Sequence, residues 1–199
     1  MNLVFDLGNV LVRWDPVAIV RSVIDGPGAV RLAEHLFAPP DWVSVVRGTG
    51  TLDQAAVRAI ERTDVDDAII HAAFAAVAPS LQPLPESVAL LDAVAAQGHS
   101  LYALSNMGHV SADYLQRQAS FWPKFKDVVI SARVGLVKPE PAIFELMLAQ
   151  FGLAAHECLF IDDSLDNVQA AQALGIDAIH FTGASQCRDE LVRRGLLND

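Results

Sequence analysis

VFDLGNVLV, residues 4–12, sets a single carboxylate at the tip of an apolar run. Leu3, Val4 and Phe5 read as a buried strand, and Asp6 ends it, followed by Leu7, Gly8 and Asn9. A strand that is apolar on both faces belongs to a sheet covered on both sides, which is the habit of parallel sheets. Four further runs share that character: SLYALSN (100–106), DVVIS (127–131), CLFIDD (158–163) and DAIHF (177–181). Each ends in polar residues.

Helical patterns separate the later runs. PESVALLDAVAAQG (85–98) carries Val88, Leu91 and Val94 at helical spacing and stops at Gly98. PEPAIFELMLAQFG (139–152) opens with prolines suited to a first turn, and SLDNVQAAQALG (164–175) opens with a Ser/Asp cap. Strands and helices alternating at this spacing predict right-handed βαβ units, hence an α/β doubly wound parallel sheet. The rhythm breaks after the first strand. Residues 15–83 hold Ala-rich helical stretches near 17–25, 28–37, 52–62 and 66–77, interrupted by DGPG, APPD and GTGT. Asp15-Pro16 marks the first helix start, and the prolines of PSLQPLP (79–85) read as a returning linker. The expected division is a catalytic core of residues 1–14 and 84–199 with a helical cap at 15–83.

Composition sets the outer limits. The chain has 199 residues, 52% of them hydrophobic, so one core with a modest insert can be buried. Its net charge of -10 leaves no basic excess to neutralise nucleic-acid phosphates. No apolar run approaches the roughly 18–20 residues of a membrane span, and Asp6 falls too early for a secretory leader. Of the two cysteines, Cys158 sits in an expected buried strand as a small core residue. These features predict a cytoplasmic protein with neither nucleic acid nor membrane as partner.

In open α/β sheets ligands bind beyond the carboxyl ends of the strands. The residues predicted there are Asp6, then Ser105 and Asn106, then Asp162 and Asp163, with Lys138 in the loop GLVKPEP. Singly, each has a plain explanation as a turn, a helix cap or a solvated charge. Together they would leave several carboxylates at buried strand ends without a cation. A divalent ion supplies one, and an oxygen-only ligand set favours Mg²⁺ over zinc. With Mg²⁺ and Lys138 the pocket suits a phosphoryl group. Asp6 can attack phosphorus without prior deprotonation, while Lys138, Ser105 and the Asn106 backbone N–H hold the equatorial oxygens.

The motifs FDLGNV, LSN, VKPEP and IDDS occur in the order and spacing of the haloacid-dehalogenase-like (HAD) superfamily of hydrolases, which the chain resembles over nearly its whole length. The insert resembles that family's small helical cap. FDLGNV, LSN and FWP (121–123) are similar to a bacterial sugar-phosphate phosphatase group acting on α-D-glucose 1-phosphate. The resemblance implies a small phosphorylated metabolite as substrate and Asp6 as nucleophile. It implies Mg²⁺ on the Asp6 side chain, the Gly8 carbonyl and Asp163. Asp162 would hold a metal-bound water or support Lys138, and Asn167 would position the same network.

Gly8 departs from the pattern, because most phosphatases of the family place a second Asp there as general acid and base. Asn9 cannot replace it, since an amide does not titrate. His109 is the nearest imidazole in the motif loops, and the other histidines show no metal-ligand spacing. A leaving group that departs without protonation suffers least, so sugar 1-phosphates are expected to outrank sugar 6-phosphates. Among cap residues, Trp14, Trp42 and Arg47 are candidates for the far end of the substrate. The tryptophans can equally be amphipathic core and Arg47 a solvated charge. Two other functions share these residues. A 2-haloacid dehalogenase uses the same aspartate and tolerates Gly8, although that chemistry needs neither metal nor Asp162 and Asp163. A non-catalytic phospho-ligand binder is the other, with Gly8 as its support.

Overall fold

The computed structural model describes residues 1–198. Strands β1 (Asn2–Phe5), β2 (Ser100–Ser105), β3 (Asp127–Ile130), β4 (Cys158–Asp162) and β5 (Asp177–His180) form one parallel sheet in the order β3-β2-β1-β4-β5. Helices α1 (Pro16–Arg21), α2 (Gly28–Leu36), α3 (Asp41–Arg47), α4 (Leu52–Ile60) and α5 (Asp67–Ser80) follow β1. After them come α6 (Pro85–Ala96), α7 (His109–Gln118), α8 (Ser131–Val134), α9 (Pro141–Phe151), α10 (Leu165–Ala173) and α11 (Ala184–Arg193). The doubly wound α/β expectation holds.

The pleat explains why the strands are apolar on both sides. Leu3, Phe5, Leu101, Ala103, Leu159 and Ile161 face one layer, where Leu90, Leu91, Leu115, Cys187 and Leu191 from α6, α7 and α11 cover them. Val4, Tyr102, Leu104 and Phe160 face the other, against Ile143, Phe144 and Met147 of α9 and Val168 and Ala171 of α10. Each fully buried Leu or Phe contributes roughly 1.5–3 kcal/mol relative to exposure. Helices α1, α2, α4 and α5 gather a third cluster, with Val20, Leu36, Ala56, Ile70 and Phe74 buried together.

Helix α3 was not expected, because APPD and GTGT read as breaks. It is a seven-residue helix. Pro40 precedes it and Gly48 ends it in the left-handed conformation, so both punctuation marks bound a helix rather than a loop. Helix α5 runs on to Ser80 through Pro79, into the stretch read as linker. A proline in the last turn forfeits one backbone bond, and the Ser80 hydroxyl donates to Val77 O at 2.7 Å nearby. Both cysteines are buried thiols with no disulfide. No described helix is long and apolar enough to cross a membrane.

Candidate active site

Strand register brings the acidic tips together. Phe5 pairs with Ala103 on one side and Ile161 on the other, and Asp6 N–H extends the ladder to Ile161 O at 2.9 Å. Asp6 and Asp162 therefore leave adjacent strands side by side, where the winding of the sheet reverses. Carboxylate oxygens of Asp6, Asp162 and Asp163 lie within 4.8 Å of one another.

Lys138 is the cation among them. Its ammonium is buried, donates to Asp162 Oδ2 at 2.6 Å and to Leu104 O at 3.0 Å, and lies 3.0 Å from Asp6 Oδ1. It also sits 5.3 Å from the centre of the Phe160 ring. Burial disfavours its charge, yet Asp6 and Asp162 outweigh that and hold its pKa above the ordinary lysine value. Burial also pushes the Asp6 carboxyl up to about 6. Lys138 and the Ser105 hydroxyl pull it back, and Asp162 pushes it further up. Burial likewise raises Asp163, against a hydrogen bond from Asn9.

Asp162 is fully committed to protein donors. Its oxygens accept from Ser164 N at 2.8 Å, from Asn167 Nδ2 at 3.0 and 3.1 Å, and from Lys138. Of the two roles open to it, supporting Lys138 is the one its contacts match, and Asn167 clamps it from behind. The free acceptors lie elsewhere. Asp6 Oδ1 is buried beside Lys138 but takes no aligned hydrogen bond. Asp163 Oδ2 accepts only from Asn9 Nδ2, at 3.2 Å, among the described residues. The Gly8 carbonyl receives no backbone hydrogen bond among the described residues, because Val12 N–H goes to Leu7 O and Asn9 N–H to Val12 O. These three acceptors are oxygen donors that suit a hard divalent cation.

Asn9 and Asn106 do more than the sequence disclosed. Asn9 adopts the left-handed conformation at φ 53°, which Asn tolerates better than most residues. Its side chain holds Asp163 with one end and accepts from Trp14 N at 3.1 Å with the other. Asn106 makes a reciprocal pair with the Lys138 backbone, accepting from its N–H at 2.8 Å and donating to its carbonyl at 2.9 Å. Ser105 is buried at the mouth of the same cavity.

That cavity, of about 170 Å³, is lined by the polar loop residues Asp6, Gly8, Asn9, Ser105, Asn106 and Asp163. Trp14, Trp42, Val46, Leu81 and Met107 supply its apolar lining, with Ser111 as a further hydroxyl. Trp14 and Trp42 stack with centroids 5.1 Å apart and 12° between planes, and Phe37 packs edge-on to both. Arg47 is turned away. It pairs with Glu140 at 2.5 Å and donates to Gly135 O at 3.3 Å, tying α3 to the loop that carries Lys138. Ser131 Oγ adds a second tie, donating to Val46 O at 2.5 Å. His109 is absent from the lining of this cavity. His180 Nε2 donates to the Asp163 carbonyl oxygen, 3.0 Å away, a contact that sequence spacing could not show. Phe121 and Trp122 of FWP are core residues and do not line this cavity.

A parallel sheet with an acidic cluster and a buried lysine at its carboxyl edge defines a class of α/β proteins with carboxylate sites for anionic ligands. The profile of the haloacid dehalogenase-like hydrolases matches residues 2–175, and the chain belongs to that family. It is a hydrolase. A sesquiterpene phosphatase of Aspergillus oryzae is 28% identical over 90% of this chain and 88% of its own. A phosphoglycolate phosphatase of Rhodospirillum rubrum is 30% identical over 89% and 77%. Among solved structures, a HAD family enzyme of Bacteroides thetaiotaomicron in complex with magnesium and inorganic phosphate superposes with a TM-score of 0.70. It is 24% identical, covering 89% of this chain and 92% of that one, and at that level the likeness concerns the fold.

Proposed function

We propose that the protein is a Mg²⁺-dependent phosphatase of small phosphorylated metabolites, with Asp6 as nucleophile. The observation that carries this reading is the buried Lys138 ammonium shared by Asp6 and Asp162, with Asp163 in the same cluster. Asp6, Asp163 and the Gly8 carbonyl would hold the ion, which when bound offsets the charge of a phosphate dianion. An Asp6 oxygen attacks phosphorus, the ester P–O bond breaks, and an aspartyl phosphate forms on Asp6. Lys138, Ser105 and the Asn106 backbone N–H steady the equatorial oxygens. Water then attacks phosphorus, releasing inorganic phosphate and restoring Asp6. Asp162 and Asn167 keep Lys138 aimed, and the helices of residues 15–83 act as a cap over the cavity.

Gly8 supplies no proton to the leaving oxygen, a loss worth on the order of 10²–10⁴ in rate for ordinary alcohols. Leaving groups that depart unprotonated are therefore preferred, and among sugar phosphates a sugar 1-phosphate ranks above a 6-phosphate. Two free buried thiols accord with a reducing cytoplasm. The dehalogenase reading keeps Gly8 in its favour. A carboxylate cluster lacking a metal would repel an anionic haloacid, which counts against it. Phosphate release from glucose 1-phosphate and glucose 6-phosphate, with Mg²⁺ and with EDTA, tests the proposal. Metal-dependent release that favours the 1-phosphate is expected. Release untouched by EDTA, or halide release from 2-chloropropionate, would contradict it.

A further inference from the structure

A second, smaller cavity adjoins the first. That second cavity, of about 70 Å³, shares Trp42, Gly108 and Ser111 with the first and is also lined by Val45, Leu52 and Val110. Its surface is almost wholly apolar. Thr51 contributes a hydroxyl, but that oxygen already accepts from Gln54 N at 3.2 Å. His109 lies at its rim as the first residue of α7. Beyond the catalytic loops, then, the two linings present two indoles, three apolar side chains (Val46, Leu81 and Met107), the single Ser111 hydroxyl, and an apolar annex beside Trp42.

Such a wall discriminates among the leaving groups that Gly8 admits. A sugar buried there would leave several hydroxyls facing carbon, each costing about 1–3 kcal/mol when unpaired. An aromatic ring meets a stacked pair of tryptophans instead. A phenolic oxygen, with a pKa of about 10, also leaves without a proton donor far more readily than an alkanol oxygen. Both features select one chemistry.

We infer that the preferred substrate is an apolar aryl phosphate monoester, its ring against Trp14 and Trp42 and an alkyl extension in the annex lined by Val45, Leu52 and Val110. This rests on the phosphatase reading above. The step is the same transfer: the phosphorus–aryl oxygen bond breaks, the phenolate departs and takes its proton from water, and phosphate is released from Asp6 by hydrolysis.

The experiment measures kcat/KM with Mg²⁺ for phenyl, 4-ethylphenyl and 4-butylphenyl phosphate, whose leaving oxygens are nearly equal in acidity, alongside glucose 1-phosphate. The inference expects kcat/KM to climb by up to about fourfold per methylene until the annex is full. It also expects every aryl ester to exceed glucose 1-phosphate. Leu52→Trp, which fills the annex, flattens the climb, with a melting curve confirming that the variant is folded. Should Leu52→Trp fail to fold, Val110→Phe, at another lining position, serves the same purpose. A flat or falling series in the unmodified protein, or a climb that survives in a folded annex-filling variant, overturns the inference and leaves the phosphatase reading standing. No release from any ester overturns both.

Discussion

Replacing Lys138 by Met removes the one cation between two carboxylates and keeps the length of the apolar stem. Asp162 is fully buried and Asp6 nearly so, with 7% of its surface exposed, so neither can recover its hydration. Removing one member of a buried ion pair typically costs about 3–5 kcal/mol. For a chain of this size each kcal/mol lowers the melting temperature by about 2–4 °C, so Lys138→Met is expected to melt about 6–20 °C lower. Asp162→Asn should be destabilised comparably, because Lys138 then loses its shortest partner. The double variant Lys138→Met/Asp162→Asn should cost less than the two singles together, with a coupling of about 0.5–3 kcal/mol. Mg²⁺ should raise the melting temperature of Lys138→Met more than that of the parent, since the ion supplies the missing charge. Phosphate release should fall by on the order of 10²–10³ in the single variant. Scanning fluorimetry with and without Mg²⁺ reads the stabilities. A Lys138→Met protein that melts with the parent, or strictly additive singles, would refute the electrostatic reasoning.

Gly8→Asp should fit, because a Cβ there meets nothing nearer than Trp14 Cβ at 4.0 Å, and it should raise turnover of glucose 6-phosphate more than of phenyl phosphate. Equal changes on both esters would show that leaving-group protonation is not limiting. Asn106→Ala strips the Lys138 backbone of both its side-chain partners and should cost about 1–3 kcal/mol by thermal melting, with a fall in kcat; wild-type kcat would remove Asn106 from the positioning network. Hydrogen bonds from Arg193, and then Arg194, hold Glu190 down at about 2. Its contribution is therefore complete above its ordinary 4.5 and drains away as pH falls towards 2. The gap in melting temperature between the parent and Glu190→Gln should accordingly be narrower at pH 3 than at pH 7, and a constant gap would contradict the assignment.

The sheet was legible because each strand is a continuous apolar run, and every one of the five appears where its run predicted. Helices α6 and α9 were legible from their apolar stripes with glycine or proline at the ends, and α10 from its Ser/Asp start and the Gly175 that follows it. Helices α7 and α11 were not read. The buried side of α11 consists of Cys187 and Leu191 alone, and that of α7 of Ser111, Ala112 and Leu115, stripes too thin to stand out in sequence. The acidic tips could be collected from the motifs, since strand ends of a parallel sheet share one edge. The resemblance left Asp162 with two roles, a metal-bound water or the support of Lys138, and sequence could not choose between them. Asp162 and Asp163 are neighbours, yet one spends its oxygens on Lys138, Asn167 and Ser164 while the other keeps acceptors free. The pairing of Arg47 with Glu140 could not be read from sequence, because the two residues lie 93 positions apart. Of the apolar wall, Trp14 and Trp42 were candidates from sequence, whereas Val46, Leu81 and Met107 were hidden, Val46 because the breaks around α3 concealed that helix.

Acid-quenched protein taken during turnover of phenyl phosphate, digested and mapped by mass spectrometry, tests the role of Asp6 most directly. A phosphoryl adduct confined to the peptide bearing Asp6, dependent on Mg²⁺ and missing from Asp6→Asn along with activity, is the predicted result. Sustained hydrolysis by Asp6→Asn, or turnover that leaves no adduct on that peptide, would contradict it.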